Sequence, residues 1–215
     1  MSTRRGFDRL ARWYRPLEFA AFGSDLERAR FEYLDRLAGC RDILLLGEGD
    51  GRCAERMAAI APGARIVCVD SSPEMIRRAK RRLDARGVGA QVSFVLADLC
   101  TFVPADQSFD GIATLFVLDC FDAEGVESII ARMGHALRPG APWLFADFVM
   151  PPGGFARLRA RAWLSLLYAF FRWETALSVS SLPPSEALLE RAGWRRTERL
   201  ELQMGLVRSA VLMRS

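Results

Sequence analysis

The amino-acid sequence predicts an α/β fold, in which a largely parallel β-sheet is covered by helices on both faces. Short, continuous apolar runs are typical of strands that are buried on both sides, and they alternate along the chain with amphipathic helical stretches. Glycine, proline and serine mark the junctions. With 215 residues, of which 51% are hydrophobic, the chain is expected to form one domain, 1–215, with a substantial core.

The alternating elements occupy the chain up to Val149. A helix is predicted at 24–38 with Ser24 as its N-cap, and a glycine-rich turn after the first strand leads into a helix that ends near Ile60. The helix after the second strand has a serine cap, a proline in its first turn and a glycine at its end. A further helix, AEGVESIIARMGHAL, precedes the last of the five predicted strands, which are DILLLG, RIVCVD, QVSFVLAD, FDGIATLFVL and WLFADFV.

After Val149 the pattern changes. The sequence MPPGG interrupts the chain, residues 155–173 are predicted to form an aromatic helix flanked by arginines, and PPSEALLERAG begins another helix. Two final strands meet at Gly205, and so tight a connection predicts that they pair antiparallel.

Composition argues against several classes of protein. The formal net charge is +4, but acidic residues are mixed with basic ones along the chain, so we expect no nucleic-acid partner. Five separated cysteines without a C-x-x-C pair and a single histidine predict no metal site. The charged N-terminus lacks the apolar centre of a signal peptide, and the most apolar later run, 162–171, is about half as long as a membrane span. A cytoplasmic protein is therefore expected.

The turn after the first strand carries glycines at three alternate positions, Gly47, Gly49 and Gly51. Glycines at a strand-to-helix junction let the backbone approach a ligand and let helical N–H groups face it. A dinucleotide fingerprint would place its third glycine at position 52, and Arg52 there argues against a nicotinamide or flavin dinucleotide. A tight turn without a ligand is the alternative.

Acids follow the next two strands. Asp70 ends the second strand, at about the spacing from the glycine turn at which a carboxylate accepts hydrogen bonds from ribose hydroxyls. Asp98 follows the third strand and is placed to accept a hydrogen bond from an adenine amino group. Each could instead cap a helix, but parallel sheets bind ligands at the carboxyl ends of their strands, where all these features lie.

In these motifs the sequence resembles the class I S-adenosylmethionine-dependent methyltransferases. The glycine turn, VDSSPEMI, LADL, FDGI, ALRPG and LLERAGW carry the resemblance, and FDRLARWYR at 7–15 is similar to the start of quinone-biosynthesis C-methyltransferases. The resemblance implies a Rossmann-like seven-stranded mixed sheet with its last strand antiparallel, and S-adenosylmethionine as cofactor. The cofactor-binding residues expected on this basis are Gly47, Glu48, Gly49, Gly51, Asp70, Ser71, Met75, Asp98, Leu99 and Phe116.

One position departs from the family pattern. The family usually has an acid two residues before the first glycine, and this chain has Leu45 there. Glu48 or Asp50, inside the turn, could supply the negative charge for the cofactor's ammonium group. The alternative for both is simple exposure at a helix start, where negative charge is favourable.

Candidate catalytic residues lie at the ends of strands four and five and in the N-terminal segment. Asp119 and Asp147 follow buried apolar residues and are candidates for the base that a hydroxyl or acidic-carbon acceptor requires. Asp119 could instead cap the next helix, and Asp147 could be a structural acid. Tyr14 belongs to predicted N-terminal cover helices at 1–38, where packing or surface solvation is an equal alternative.

A second predicted cover is the helical insertion at 150–184, between strands five and six. Its aromatic residues favour an apolar pocket wall and hence a small, hydrophobic or aromatic acceptor. It could also pack on the sheet or, less favourably, rest on a membrane surface. The predicted function is in-line methyl transfer, and the alternative is a non-catalytic S-adenosylmethionine-binding regulatory or membrane-associated protein.

Overall fold

The computed structural model describes residues 22–163 and 182–214 and contains a seven-stranded sheet with strand order β3-β2-β1-β4-β5-β7-β6. The strands are β1 (Asp42–Leu46), β2 (Arg65–Asp70), β3 (Val92–Leu96), β4 (Gly111–Leu115), β5 (Trp143–Phe148), β6 (Trp194–Leu202) and β7 (Val207–Arg214). The helices are α1 (Asp25–Phe31), α2 (Arg52–Ile60), α3 (Pro73–Arg86), α4 (Ala123–Ala136), α5 (helical over 154–163) and α6 (Ser185–Arg191). Short 3-10 turns include Leu34–Leu37.

The pairing confirms the predicted mixed sheet. Strands β1 to β5 pair in parallel, and β7 pairs antiparallel with both β5 and β6. Strand β1 lies between β2 and β4, so the chain builds the sheet outward in one direction through β3 and then in the other through β4. The space above the carboxyl ends of β1 and β4 is therefore the topological switch point, where such sheets bind ligands.

The sheet is buried on both faces, as the continuous apolar strands predict. Leu44 and Leu46 of β1 belong to the core on one face, and Ile43 and Leu45 belong to the core on the other. All four are at most 2% exposed, because alternate side chains of a central strand point to opposite helical layers.

Helix boundaries follow the sequence signals closely at α3 and less closely at α1. Ser72 caps α3 by accepting a hydrogen bond from the Met75 N–H, and Gly87 ends it in the left-handed conformation. The predicted helix at 24–38 is wrong in its length: α1 ends at Phe31, and Leu34–Leu37 forms a 3-10 turn. A 3-10 turn aligns residues three apart on one face, which buries Leu34 and Leu37 together.

One further expectation is wrong and two others are not tested. Ser24 makes no side-chain capping bond, because its backbone is already helical rather than extended. Tyr14 and the rest of the N-terminal cover before residue 22, and residues 164–181 of the predicted insertion, lie outside the described residues. Within the described ranges, none of the helices combines the length and apolar character that crossing a membrane requires.

Candidate active site

The glycine turn between β1 and α2 combines two tightly packed glycines with one that faces open space. All three have positive φ angles: +65° at Gly47, +67° at Gly49 and +87° at Gly51. A Cβ on Gly47 would lie 2.2 Å from Val117 Cγ2, and a Cβ on Gly51 would lie 2.7 Å from Ala79 Cα. Among the described residues, no atom lies within 4 Å of a Cβ built on Gly49. Gly47 and Gly51 thus permit close packing, and the space beside the Gly49 Cα is clear of described residues.

The position of Gly51 explains why the chain can have an arginine, and not a glycine, at position 52. The third glycine of the turn already provides the close approach to helix α3, one residue earlier than in a dinucleotide fingerprint. The Arg52 side chain is directed to acids instead, with its Nε 3.1 Å from Asp50 Oδ1. Asp50 also pairs with Arg82 at 3.0 Å, so this acid joins the turn to α3.

Replacing Gly51 by alanine is expected to destabilise the protein by about 2–5 kcal/mol. A left-handed conformation costs an L-residue about 1–2 kcal/mol, and overpacking against the α3 backbone adds about 1–3 kcal/mol. Gly87→Ala is the matched control, because Gly87 has a φ of +68° but, within the described chain, no neighbour within 4 Å of its Cβ position. Urea unfolding should show a clearly larger loss for Gly51→Ala; equal losses would contradict the packing role.

Asp70 holds the first two strand-end turns together. Its Oδ2 accepts a hydrogen bond from the Gly49 N–H at 2.9 Å, and its Oδ1 accepts one from the Ser72 N–H at 2.8 Å. The cap of α3 is Ser72, not Asp70. Since a carboxylate has room for about four hydrogen bonds, these two are compatible with ribose hydroxyls as further donors. Ser71 and Met75 are half-buried beside it, at the start of α3.

Glu48 lies inside the turn and caps helix α2. Its Oε1 accepts a hydrogen bond from the Ala54 N–H at 2.8 Å, and the Cys53 N–H also bonds to the carboxylate. Burial raises the pKa of Glu48 to about 8, while these N–H groups and the charge of Arg30 oppose that rise. The side chain is half-buried. A cation bound beside Glu48 would therefore stabilise its ionised form.

The loop after β3 is anchored by an arginine of helix α4. Asp98 is exposed, and its Oδ1 accepts a hydrogen bond from the Cys100 N–H at 2.9 Å. Leu99 is buried. The Arg132 guanidinium donates to the carbonyl oxygens of Leu99 at 2.6 Å and Cys100 at 2.8 Å, which fixes the loop that carries Asp98.

Phe116 ends β4 in a conformation that is unusual for a side chain of its size. Its φ is +60°, and its N–H donates to the Ala146 carbonyl at 2.7 Å. Such strain persists where the surroundings hold it, often at ligand sites. It also explains why the predicted strand FDGIATLFVL stops at Leu115. The Arg30 guanidinium lies 5.1 Å from the centre of the Phe116 ring.

Asp119 and Asp147 form a carboxyl pair above the ends of β4 and β5. Asp147 is 1% exposed. Its Oδ2 accepts a hydrogen bond from the Asp119 N–H at 3.1 Å, its Oδ1 accepts one from the Phe148 N–H at 2.9 Å, and its side chain is bonded to that of Asp119. The helix that follows is capped by Asp122, so Asp119 is not its cap.

The two carboxyl groups of this pair titrate differently. Burial raises the pKa of Asp119 to about 6, and hydrogen bonds from Cys120 and Asp147 limit that rise. Burial, followed by the charge of Asp119, raises the pKa of Asp147 well above its ordinary value. Burial thus raises the pKa of Asp147 more than that of Asp119, which is only half-buried and has a pKa of about 6.

An aromatic cluster lies at the same ends of β4 and β5 and includes Phe148, the residue after Asp147. Phe148 packs against Phe116 and Phe22, with ring centres 5.6 Å and 5.5 Å apart, and Trp163 lies 5.9 Å from Phe22. Phe22 comes from the N-terminal segment and Trp163 from α5, so the described parts of both predicted covers meet over β4 and β5. This provides an apolar wall at the strand ends that also carry the two carboxyl groups.

The donor set fits S-adenosylmethionine, which presents a ribose, an adenine and a zwitterionic amino-acid tail. Carboxylates stand at the ends of the second and third strands, where they could accept hydrogen bonds from a sugar and a base, and Gly49, with open space beside its Cα, donates its N–H to Asp70. Where the structure describes the chain, no group of three His, Cys, Asp or Glu side chains is arranged to hold a metal ion.

Comparison with known sequences identifies methyltransferases. A family profile described as "Methyltransferase domain" matches residues 43–140. Demethylmenaquinone methyltransferase from Thermus thermophilus is 30% identical over 151 residues, which cover 70% of this chain and 67% of that enzyme. The chain spans smaller shares of the next curated relatives, 26% and 47% for two of them.

Solved structures show the same fold. The N-methyltransferase NodS from Bradyrhizobium japonicum, in complex with S-adenosylhomocysteine, has a TM-score of 0.71 at 18% identity, over 99% of this chain and 98% of NodS. The 1,6-didemethyltoxoflavin-N1-methyltransferase from Burkholderia thailandensis has a TM-score of 0.69 at 18% identity, over 99% and 87%. With the identity to the Thermus thermophilus enzyme over two thirds of its length, this places the chain in the class I methyltransferases, enzymes that use S-adenosylmethionine as their methyl donor.

Proposed function

We propose that this methyltransferase acts on a small, hydrophobic or aromatic acceptor by in-line methyl transfer, and that Asp119 receives the acceptor's proton. The observation that carries the proposal is that the Asp119–Asp147 pair and the aromatic cluster of Phe22, Phe116, Phe148 and Trp163 lie at the same ends of β4 and β5. A base and an apolar wall at the same strand ends suit an apolar acceptor that carries one acidic hydrogen.

The cofactor is proposed to lie across the ends of β1, β2 and β3. In this arrangement Asp70 and Asp98 would hold the sugar and the base, and Gly49 would offer main chain to the tail. Ser71, Met75, Leu99 and Phe116 would line the same crevice. Holding both reactants in place supplies most of the catalysis in a reaction of this kind, because alignment replaces a bimolecular encounter.

When bound, S-adenosylmethionine supplies a methyl group whose carbon–sulfur bond breaks, with the electron pair returning to sulfur, as the acceptor atom bonds to that carbon. Asp119 takes the proton that the acceptor loses. The protonated Asp147 donates a hydrogen bond to Asp119 and is itself fixed by backbone N–H groups, so it orients the base. The aromatic cluster excludes water from the site.

The relatives support a small-molecule acceptor. The names of two of them refer to demethylmenaquinone and 1,6-didemethyltoxoflavin, both of which are small molecules. The cluster of four aromatic side chains at the proposed acceptor site favours the more hydrophobic members of that range.

Two measurements test the proposal. Calorimetry with S-adenosylhomocysteine should show binding in the micromolar range or tighter. A panel of quinols, phenols, aromatic amines and carboxylic acids, incubated with methyl-labelled S-adenosylmethionine, should then show label in an aromatic hydroxyl or quinol compound and little in polar acids. Binding without turnover on any acceptor would favour a non-catalytic regulatory protein, and labelling of only polar acids would contradict the proposed acceptor class.

A further inference from the structure

The outer face of helix α5 exposes large apolar side chains. Phe155 and Leu158 are 71% and 67% exposed, and they share one side of the helix because they are three positions apart. The opposite side packs on the protein, where Ala160 is 1% exposed and Trp163 joins the aromatic cluster. A helix that only covers a core has polar residues on its outer side. In α5 both sides are apolar, and only one of them is buried against the described residues.

The turn between β6 and β7 extends this apolar face. Met204 is 56% exposed and has a φ of +58°, which is uncommon for a residue of its size and persists where neighbours hold it. The turn is held against α5 at two points. The Arg159 guanidinium donates to the Gln203 carbonyl at 3.3 Å, and a Cβ built on Gly205 would lie 4.0 Å from Pro151 Cγ, just before α5. Met204, between these two anchored residues, is therefore held beside α5.

Arginines without acidic partners border the apolar face. Arg157 and Arg161 are exposed, and Arg161 adjoins the apolar face because it follows Leu158 by three positions. The Arg157 guanidinium donates to the Pro152 carbonyl at 3.2 Å. Among the described residues, no carboxylate forms an ion pair with either guanidinium. The sequence from 148 to 173 contains four arginines and neither Asp nor Glu, so the positive charge of this face is not compensated locally.

We propose that α5 and Met204 bind the surface of a membrane that contains anionic lipid, with Phe155 and Leu158 among the acyl chains and Arg157 and Arg161 at the phosphates. Side chains that are more than half exposed project from the protein, and insertion among acyl chains needs no matching cavity. The charge favours lipid over a second copy of this chain, since two such faces would bring their arginines together. The proposal concerns only the outer face of α5 and does not depend on the proposed function.

Vesicle flotation of the full chain tests the proposal. The protein should float with vesicles made of equal parts of phosphatidylcholine and phosphatidylglycerol, and much less with vesicles of phosphatidylcholine alone. Binding to the mixed vesicles should fall in about 1 M NaCl, where charges are screened beyond about 3 Å. Wild-type protein that floats with neither kind of vesicle, or equally well with both, would overturn the proposal.

Two double variants separate the apolar contribution from the charge. Phe155→Gln/Leu158→Gln is expected to lower the partition coefficient by about 10- to 100-fold, because two large side chains no longer leave water. Arg157→Gln/Arg161→Gln is expected to lower it by about 30-fold, and only with the anionic vesicles. Urea unfolding should be unchanged in both variants, because substitutions of exposed side chains rarely affect stability.

Matched controls make the same changes elsewhere on the surface. Leu96→Gln/Val103→Gln replaces two apolar side chains, 53% and 72% exposed, in β3 and the loop after it. Arg77→Gln/Arg81→Gln removes two exposed arginines of α3, which both lie near Glu74, at 2.7 Å and 3.9 Å. Both controls should bind vesicles as the wild type does.

Two further results would overturn the proposal. The first is that a control variant loses as much binding as its α5 counterpart, which would make the attraction a general one. The second is that sedimentation shows a dimer that Phe155→Gln/Leu158→Gln dissociates, because a second copy would then cover this face. Calorimetry of the wild type with S-adenosylhomocysteine tests the proposed function separately, so failure of either proposal can be recognised on its own.

Discussion

Replacing Asp70 by alanine is expected to weaken S-adenosylhomocysteine binding by about 100-fold or more. Hydrogen bonds to a charged group are worth about 1.5–3 kcal/mol each, and the proposal gives this carboxylate two ribose hydroxyls. The variant also loses the bonds from the Gly49 and Ser72 N–H groups, at 2.9 Å and 2.8 Å, which set the shape of both turns. Calorimetry of the purified, folded variant measures the loss.

Asp110→Ala separates this binding role from a general loss of structure. Asp110 precedes β4 at the opposite end of the parallel strands, where its carboxylate accepts hydrogen bonds from the N–H groups of Arg41 at 3.0 Å and Asp42 at 2.8 Å. Both variants should therefore lose a similar free energy of unfolding, about 1–3 kcal/mol. Only Asp70→Ala should lose cofactor affinity. If Asp110→Ala weakens binding as much, the effect of Asp70 is one of stability alone.

The sheet could be predicted because its determinants are local. Each central strand is a continuous apolar run, and each junction carries a cap or a turn residue, as at Ser72 and Gly87. The confirmed antiparallel pair at the C-terminus followed from Gly205, which permits a tight connection. The length of the first helix was not predictable in the same way, because Leu34 and Leu37 are placed by burial against the rest of the protein and not by their neighbours in sequence.

The roles of the three glycines show where the pattern alone was insufficient. The spacing predicted close approach at Gly47, Gly49 and Gly51, but not what each would approach. Gly47 meets Val117 and Gly51 meets Ala79, both far along the chain, and these contacts exist only once β4 and α3 are in place. The contact of Arg30 with Phe116 has the same origin: it follows from the order of the strands, and a single arginine in an amphipathic helix carries no signal of it.

The carboxyl pair could be predicted from the sequence only in part. Its members were each predicted as candidate bases, since each follows a buried strand. Their pairing depends on the parallel register of β4 and β5, in which Leu115 lies opposite Ala146, the residue before Asp147. This proximity makes their pKa values differ. The charge of Asp119 raises the pKa of Asp147, and a hydrogen bond from Asp147 lowers the pKa of Asp119.

Asp119→Asn is expected to lower kcat by about 100- to 10,000-fold with the acceptor that the panel identifies, which is the usual contribution of a general base. Asparagine keeps the shape of the side chain but cannot take the acceptor's proton. Affinity for S-adenosylhomocysteine should stay within a few-fold, because Asp119 is assigned to the acceptor. Asp122→Asn is the matched control: it makes the same change three positions along, and asparagine is as good an N-cap as aspartate.

The pH dependence gives a second, independent readout. Since the ionised form of Asp119 acts, kcat/KM of the wild type should rise with pH through about 6 and then level off, and this step should vanish in Asp119→Asn. Stability should change in the opposite direction. The pair's pKa values are raised by folding, so the stability that it contributes is fully present below about pH 4 and is lost as the pH rises through about 6 and beyond.

The two profiles together distinguish a base from a structural acid. A structural role for Asp119 would produce the stability profile without the step in kcat/KM, and Asp119→Asn would then retain most of its kcat. A base that acts from this pair requires both profiles, because burial raises the pKa values of both carboxyl groups and the same pairing orients Asp119. Measuring thermal unfolding and kcat/KM over the same pH range, for the wild type and both asparagine variants, therefore decides the assignment.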